Sequence, residues 1–307
     1  MTLISQQVEV EVGRKVPSAA ATSPRKGPWR WRAGWWLLAV PVAIFLIILF
    51  AYPTFIMLSR TFTDFQEPQA AGLDNVAWFL QNDVNTTILI RTLIVGTIST
   101  LLCLLLAFPF AYTMTLVSPF VRTIMTAAVL LSMLAGILLR NFAWIVLLQR
   151  QGLINDVLEA LGLERISFLG TPAAVIIGMT HVLFPFMVLP LYAVLRGIDR
   201  RLVLAAQSLG ASPTKAFRQI YLPLSLPGVL TGGTLVFVLS LGFYITPALL
   251  GSPQQAMISQ LMAQQFTKMS AFGRAGVLAL ALLLVTLIIV GVSQWLARRS
   301  KGYEGAA

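Results

Sequence analysis

Six long apolar stretches, nearly free of charge, constrain the fold of this chain more than any other feature. They cover residues 35–59, 88–116, 123–148, 172–195, 225–250 and 276–297. A helix needs about 20 mostly apolar residues to cross the hydrocarbon core of a bilayer. Within lipid, an α-helix satisfies its own backbone polar groups. The sequence therefore predicts an all-α integral membrane protein with six transmembrane helices.

The composition supports lipid as the solvent for much of the chain. Only 11% of the 307 residues are charged and 57% are hydrophobic, whereas a soluble globular chain is about 25% charged. The first stretch follows a basic segment, as a secretory signal would. Its apolar run is longer than a signal core and lacks a clear cleavage site, so it is predicted to be an uncleaved first span.

The basic residues predict the orientation. With the N-terminus inside, 15 of the 22 Lys and Arg residues and the whole net charge of +11 lie on the cytoplasmic side. This is the positive-inside bias, and it places both termini in the cytoplasm. The bias explains the basic composition without a nucleic-acid partner; membrane lipid is the partner that it predicts.

Both ends of the chain are predicted to be tails. Residues 1–34 are rich in Pro, Ser, Ala and basic residues, which favours a disordered cytoplasmic segment. Residues 301–307 form a short C-terminal tail, and residues 35–300 form the transmembrane domain. Four tryptophans are expected to anchor at the lipid headgroups: Trp29, Trp31, Trp35 and Trp36.

Several classes of site are excluded by residue content. One cysteine, Cys103, and one histidine, His181, allow neither an internal disulfide nor a Cys or His metal cluster. There is no phosphate-binding loop and no catalytic cluster, so no cofactor is expected in this chain and it is not predicted to be an enzyme. If the protein moves a solute uphill, ATP is expected to be bound by another subunit.

The segment between the fourth and fifth stretches predicts a compact knob. Residues 202–209 read as a short helix that Gly210 ends. Ser212 and Pro213 then read as the N-cap and first residue of a second helix, which Leu222-Pro223 is expected to end. Two short helices joined by a tight bend, parallel to the membrane, are a shape that another protein can grip.

This segment resembles the EAA loop of bacterial ABC importer permeases. The family pattern is Glu-Ala-Ala, three residues, Gly, nine residues, then Ile-x-Leu-Pro, and Leu204 stands where the acid is usual. The resemblance implies the type I (MetI-like) permease fold, with a loop at 196–224 that docks onto a cytoplasmic ATPase dimer and transmits its motion. The matching residues are Ala205, Ala206, Gly210, Ile220, Leu222 and Pro223.

Two further segments, 139–155 and 242–251, resemble the spermidine/putrescine branch of these permeases. That resemblance implies a polyamine delivered by a periplasmic binding protein, and a second permease subunit as heterodimer partner. Pro247 is expected to bend or open the fifth helix, and aromatic rings there can hold a cation. The candidates for the translocation path are Arg140, Asn141, Trp144, Phe243, Tyr244, Thr246 and Pro247.

Other interpretations stay open. Each aromatic candidate can equally be a packing or interface residue, and Arg140, which suits a cationic solute poorly, is expected to pair with an acid or with the delivering protein. Six outer acids either dock that protein or form a plain solvated surface. The chain can also be a permease of the same branch for a different solute, or a stand-alone secondary transporter that uses backbone carbonyls for ion coupling. A third alternative is a membrane scaffold or assembly factor without transport activity, for which the motif spacing over residues 202–223 is a coincidence. The acids are Asp64, Glu67, Asp74, Asp83, Asp156 and Glu159.

Overall fold

The computed structural model describes residues 40–63 and 72–301, and the side chains within those ranges up to residue 295. The predicted tail 1–34, its tryptophans and two of the outer acids, Asp64 and Glu67, lie outside the described residues. The described residues up to Pro53 belong to one unit, and those from Thr54 onward belong to a second. In the first unit, residues 40–53 belong to a helix whose side chains are exposed.

The regular elements within the described residues are all helices, as predicted. The helices, numbered in chain order, are α1 (Val40–Ser59), α2 (Asp74–Gln81), α3 (Asp83–Leu116), α4 (Pro119–Leu134), α5 (Ile137–Leu148), α6 (Leu153–Ala160), α7 (Pro172–Leu195), α8 (Arg201–Ser208), α9 (Pro213–Leu241), α10 (Ile245–Leu250), α11 (Ile258–Thr267) and α12 (Phe272–Lys301).

Within the described ranges, five helices are long and apolar enough to cross a membrane, and the number rises to six if the bent pair of α4 and the segment 137–160 counts as one span. The five are α1, α3, α7, α9 and α12. The prediction of one continuous third helix over 123–148 is wrong, because the chain turns by 95° between α4 and the segment 137–160. Ala135 and Gly136 adopt extended backbone conformations there. Glycine favours such a break because it loses more conformational freedom in a helix than any other residue.

The fifth span begins earlier than predicted. The second short helix does not end at Leu222-Pro223 but continues into the span, so that α9 starts at Pro213. A π-helical turn at Phe217–Tyr221 precedes the proline, and the N–H of Leu222 donates to the carbonyl of Phe217. A local π turn is one way in which a helix accommodates a proline, which lacks an N–H and crowds the preceding turn.

The same span opens near its other end, as predicted, but not at Pro247. The helix stops at Leu241 and restarts as α10 at Ile245. Pro247 is the third residue of α10, where a helix has no internal partner for its N–H groups. The proline is therefore compatible with α10, and the break belongs to residues 242–244.

Helix α7 is the centre of the second unit. Of its apolar window 61% is buried, against 28% for α3, 33% for α9 and 22% for α12. Side chains such as Met179, Leu183 and Leu191 are fully enclosed between the flanking helices. Since lipid tails are as apolar as these side chains, close packing rather than water exclusion must hold such helices together.

Glycines on α9 allow that close approach to α7. A Cβ at Gly228 would lie 2.9 Å from the Cβ of Val194, and a Cβ at Gly232 would lie 3.2 Å from the carbonyl oxygen of Met187. Gly233, the next residue along α9, has open space instead. The pair Gly228 and Gly232 thus forms a small-xxx-small contact of the kind common between membrane helices.

This contact predicts an asymmetric effect of substitution. Gly228→Leu should destabilise the protein by about 1–3 kcal/mol, because the new side chain overpacks the α7–α9 interface. Gly233→Leu, which changes helix propensity equally, should leave stability nearly unaltered. Thermal unfolding of the isolated chain in detergent distinguishes the two, and an equal fall in Tm for both variants would contradict the packing account.

Candidate functional site: the coupling loop and the breaks at the opposite end

Residues 196–224, which the resemblance predicts to dock onto an ATPase and which we call the coupling loop, contain the tight bend that the sequence predicts. Helix α8 ends in a glycine with a φ of +91° at Gly210. The N–H of Ala211 donates to the carbonyl of Ala206 at 3.0 Å, and the N–H of Gly210 donates to that of Gln207 at 2.9 Å. This is the Schellman arrangement, which favours glycine at the left-handed position.

A small apolar face is exposed at the tip of the loop. Leu202, Ala205 and Leu209 follow one another at i, i+3 and i+7 along α8, so they share a face. Leu209 is 90% exposed and Leu202 49%. Ala205 between them is exposed as well, and a Cβ at Gly210 would meet nothing within 4 Å. Such a face, with only small groups at its centre, lets the backbone of a partner approach closely.

The structure separates the motif residues into two groups. Ala205, Ala206 and Gly210 form the tip, whereas Ile220, Leu222 and Pro223 lie at the start of the fifth span. Leu204, at the position of the usual acid, is 59% exposed. Sequence reasoning missed Leu209 as a tip residue, although its place beside the helix-ending glycine was a usable signal.

Polar contacts attach the loop to the adjoining helices. The Ser212 hydroxyl accepts from the N–H of Lys215 at 3.3 Å, which confirms the predicted N-cap. The Arg200 guanidinium donates to the carbonyl and hydroxyl oxygens of Thr115 at 2.6 and 2.9 Å. Thr115 is near the end of α3, so the loop is tied to α3 as well as to α9.

Four aromatic rings pack where the loop meets α3. Phe217 and Tyr221, both in the π turn, stack with centroids 5.4 Å apart. Phe217 also makes edge contacts with Phe108 and Tyr112 of α3 at 6.3 and 5.7 Å. Aromatic pairs prefer such offset and edge geometries. We call Phe108, Tyr112, Phe217 and Tyr221 the aromatic joint.

At the opposite end, both broken spans meet α7 at one glycine. Asn141 of α5 and Thr246 of α10 are fully buried. A Cβ at Gly178 would lie 2.8 Å from Cγ2 of Thr246 and 3.7 Å from Oδ1 of Asn141. That oxygen and the Thr246 hydroxyl have no hydrogen-bond partner in the described part of the chain. The structure thus brings together two predicted path residues, and α7 joins the segments that carry them.

Two other path candidates, Arg140 and Trp144, belong to α5 and contact residues of α7. The indole N–H of Trp144 donates to Nδ1 of His181 at 3.1 Å, so the single histidine of the chain is a hydrogen-bond partner of α5. Arg140 reaches only the carbonyl of Val182, at 3.5 Å, and its Nε has no partner among the described residues. The expected acid beside Arg140 is not supplied by the described part of this chain.

The remaining candidates are at the break in the fifth span. The Phe243 carbonyl accepts from the hydroxyl of Ser259 at 2.6 Å, and Pro247 is buried in α10. Tyr244 is 47% exposed and lines a largely apolar cavity of about 510 Å³ together with Met262 and Phe266. The seven path candidates therefore fall into three separate environments rather than one pocket.

The loop after α5 is held by one buried amide. Asn155 donates to the carbonyls of Gln149 and Ile166, both at 3.0 Å, and accepts from the N–H of Ile166 at 2.8 Å. Nearby, Arg165 pairs with Glu159 at 2.6 Å and Asp156 at 3.1 Å on the surface. The hydrogen bond that Arg165 donates to the Glu159 carboxylate is the main cause that raises the pKa of Arg165. Two of the outer acids are thus engaged within the chain.

We expect Asn155→Leu to loosen this loop, at a cost of about 1–3 kcal/mol, because three backbone groups lose their hydrogen bonds to the buried amide. Arg165→Ala should have little effect, since exposed ion pairs are screened by water and salt. Hydrogen–deuterium exchange over residues 149–166 is the measurement. Comparable protection in both variants would show that the amide does not hold the loop.

The described ranges contain no group of three or more His, Cys, Asp or Glu side chains placed to bind a metal ion.

Comparisons with known proteins agree with the resemblance seen in the sequence. Residues 35–302 match the family described as binding-protein-dependent transport system inner membrane component. The spermidine/putrescine transport system permease protein PotB of Haemophilus influenzae is 33% identical over 69% of this chain and 75% of its own. PotC of Escherichia coli K12, from a system of the same name, is 34% identical over 41% of this chain and 48% of its own.

A solved structure shares the fold. A chain of the bacterial alginate ABC transporter, in complex with an alginate pentasaccharide-bound periplasmic protein, superposes with a TM-score of 0.68. It is 21% identical and covers 87% of this chain and 96% of its own length. The predicted all-α permease fold is thereby confirmed.

Proposed function

We propose, from the premise that this chain belongs to the family of binding-protein-dependent transport system inner membrane components, that it is one of two permease subunits of an ATP-driven polyamine importer. Family membership makes it a multi-pass transport subunit of the inner membrane rather than an enzyme. The observation that carries the proposal is the exposed apolar tip of the coupling loop, with Leu209 90% exposed.

An ATPase dimer in the cytoplasm is the partner that this tip suits. Exposed apolar side chains on a rigid, glycine-ended bend indicate a contact with another protein. The loop carries five of the ten basic residues that follow the fourth span but only one acid, Asp199. By the positive-inside rule, we therefore assign the loop and both chain termini to the cytoplasm. ATP is bound by that partner, and its closure moves the coupling loop.

A second permease subunit completes the pathway. Much of the surface of α3, α9 and α12 is exposed in the single chain, and both PotB and PotC, names from one kind of transport system, are among its relatives. A different chain rather than a second copy is therefore the proposed partner. Arg140, which has no acid beside it among the described residues, is a candidate to meet that subunit across the pathway.

A periplasmic binding protein delivers the solute from the other side of the membrane. The family description names such a protein, and the alginate transporter of the same fold was solved in complex with one. Recognition of the solute belongs mainly to that protein, because the apolar interiors of α3, α7, α9 and α12, as far as the structure describes them, supply no acid to bind a polyamine tightly. Asp74, Asp83 and the loop braced by Asn155 are the proposed contacts of the delivering protein.

Spermidine or putrescine is the proposed solute because PotB is named for them. The path residues proposed to guide it are those at the two helix breaks, with Trp144, Phe243 and Tyr244 as aromatic groups that a cation can pass. The same fold is found in an alginate transporter, so the fold by itself does not select the solute. A permease of this branch for another small organic solute is the second candidate.

Uptake by right-side-out vesicles tests the proposal. We expect labelled spermidine to accumulate only when the binding protein is added outside and ATP is supplied inside. A proton or sodium gradient alone should give no uptake. Accumulation that an ionophore abolishes and that needs no ATP would instead establish a secondary transporter. ATP-dependent uptake that excess putrescine does not compete, but another solute does, would identify the second candidate.

A further inference from the structure

The aromatic joint surrounds the weakest turn of α3. Pro109 lies inside this helix of 34 residues. Proline has no N–H, so one backbone hydrogen bond of the helix is absent there, and its ring crowds the preceding turn. Helices bend at such positions. A force applied at one end of α3 would accordingly be lost by bending at Pro109 unless something bridges that turn.

Phe217 of the coupling loop bridges it. Its ring contacts Phe108, just before the proline, and Tyr112, three residues after it. Phe108 and Tyr112 are four residues apart and share one face of α3. Tyr221 packs against Tyr112 as well, with centroids 5.1 Å apart. The loop therefore contacts α3 on both sides of Pro109 at once, and these contacts oppose bending of the helix at the proline.

The opposite end of α3 is tied to the segment that follows the break in the fifth span. The guanidinium of Arg91 donates to the carbonyl of Gln254 at 2.6 Å. The hydroxyl of Thr92 accepts from the N–H of Ile258 at 2.9 Å, and Thr92 is fully buried. Thus α3 contacts the coupling loop near one end and, near the other, residues 254–258, which lead into and begin α11.

We propose that α3 transmits the movement of the coupling loop to the far end of the fifth span. In this proposal, Phe217 is the positioning residue that keeps α3 from bending at Pro109. The inference rests on the proposed function and adds a route to it. At 1.5 Å per residue, the 34 residues of α3 span about 50 Å. The movement of the loop would otherwise have to pass along the fifth span, which is interrupted at residues 242–244.

A suppressor experiment tests the route. In the complete complex reconstituted in proteoliposomes, Phe217→Ala should lower spermidine uptake per ATP hydrolysed by about tenfold, a usual size for coupling between sites. Pro109→Ala restores the missing hydrogen bond of α3, so the double variant Phe217→Ala/Pro109→Ala should regain most of the lost uptake. Rescue of this kind is not expected if Phe217 is merely a packing residue.

Phe184→Ala is the matched control. Phe184 makes an edge contact with Phe110 of α3, with centroids 5.5 Å apart, but lies on α7 rather than on the loop. Its defect, if any, should not be relieved by Pro109→Ala. At the far end of α3, Thr92→Val, which cannot accept the N–H of Ile258 in the same way, should also lower uptake per ATP while binding of the ATPase persists.

The outcomes are distinct. Normal uptake per ATP in Phe217→Ala overturns the inference, and so does a defect that Pro109→Ala leaves unchanged although the complex assembles. If Phe217→Ala does not assemble, Phe217→Leu, which keeps apolar volume, takes its place in the same comparison. Absence of ATP-driven uptake in the unsubstituted complex would instead contradict the proposed function itself.

Discussion

Replacing Gly210 by valine should abolish ATP-driven uptake while the protein remains folded in the membrane. The φ of +91° at this position is one that a β-branched residue avoids, and forcing it there costs about 1–3 kcal/mol. The Schellman bonds would be lost and the tip carrying Leu209 would turn away from its place. Because the surrounding space is open, the effect should be confined to the tip. Uptake by vesicles and capture of the ATPase by the tagged chain are the measurements.

Gly162→Val is the matched control for this variant. Gly162 has a φ of +78° and open space around it, as Gly210 does, but it lies in the segment between α6 and α7. It should therefore suffer similar backbone strain without loss of ATPase capture. If both variants capture the ATPase normally and transport normally, the bend at Gly210 has no part in coupling.

The second large effect is expected at Gly178. A valine there would meet Thr246 and Leu250 of α10 and approach Asn141 of α5. Because overpacking costs about 1–3 kcal/mol and α10 is only six residues long, the short helix should be displaced. We expect uptake to fall by more than about tenfold while the ATPase is still captured, since a coupling change of this size is common.

Gly136→Val serves as the comparison for Gly178→Val. Gly136 lies at the break between α4 and α5, its φ of −55° suits any residue, and a Cβ would meet nothing within 4 Å. This variant should retain most of the transport activity. Equal losses in the two variants would mean that the contact of α10 with α7 is not what matters.

Local chemistry explains which parts of the loop were predictable from the sequence. Gly210 and the Ser212-Pro213 pair act on their own turns, so their effects appear in the structure as predicted, with a left-handed glycine and a side-chain N-cap. The end predicted at Leu222-Pro223 was wrong because a π turn compensates for the proline. That compensation depends on the packing of Phe217 and Tyr221 against α3, which no local pattern shows.

The breaks in the third and fifth spans were harder to predict. Residues 135–136 lie in an uninterrupted apolar run, so hydropathy predicts one helix there, whereas the structure turns by 95°. In the fifth span, Pro247 was the visible signal, but the helix stops earlier, at Leu241. The meeting of Asn141, Gly178 and Thr246 joins residues far apart in the sequence, and only tertiary packing brings them together.

Capture of partner subunits tests the central claim most directly. The tagged chain is solubilised from its native membrane in mild detergent, and the proteins retained with it are identified by mass spectrometry. We predict a P-loop ATPase and a second, different permease in stoichiometric amounts, with the ATPase lost in Gly210→Val and retained in Gly162→Val. Recovery of the chain alone, stable and active in uptake driven by an ion gradient, would contradict the account.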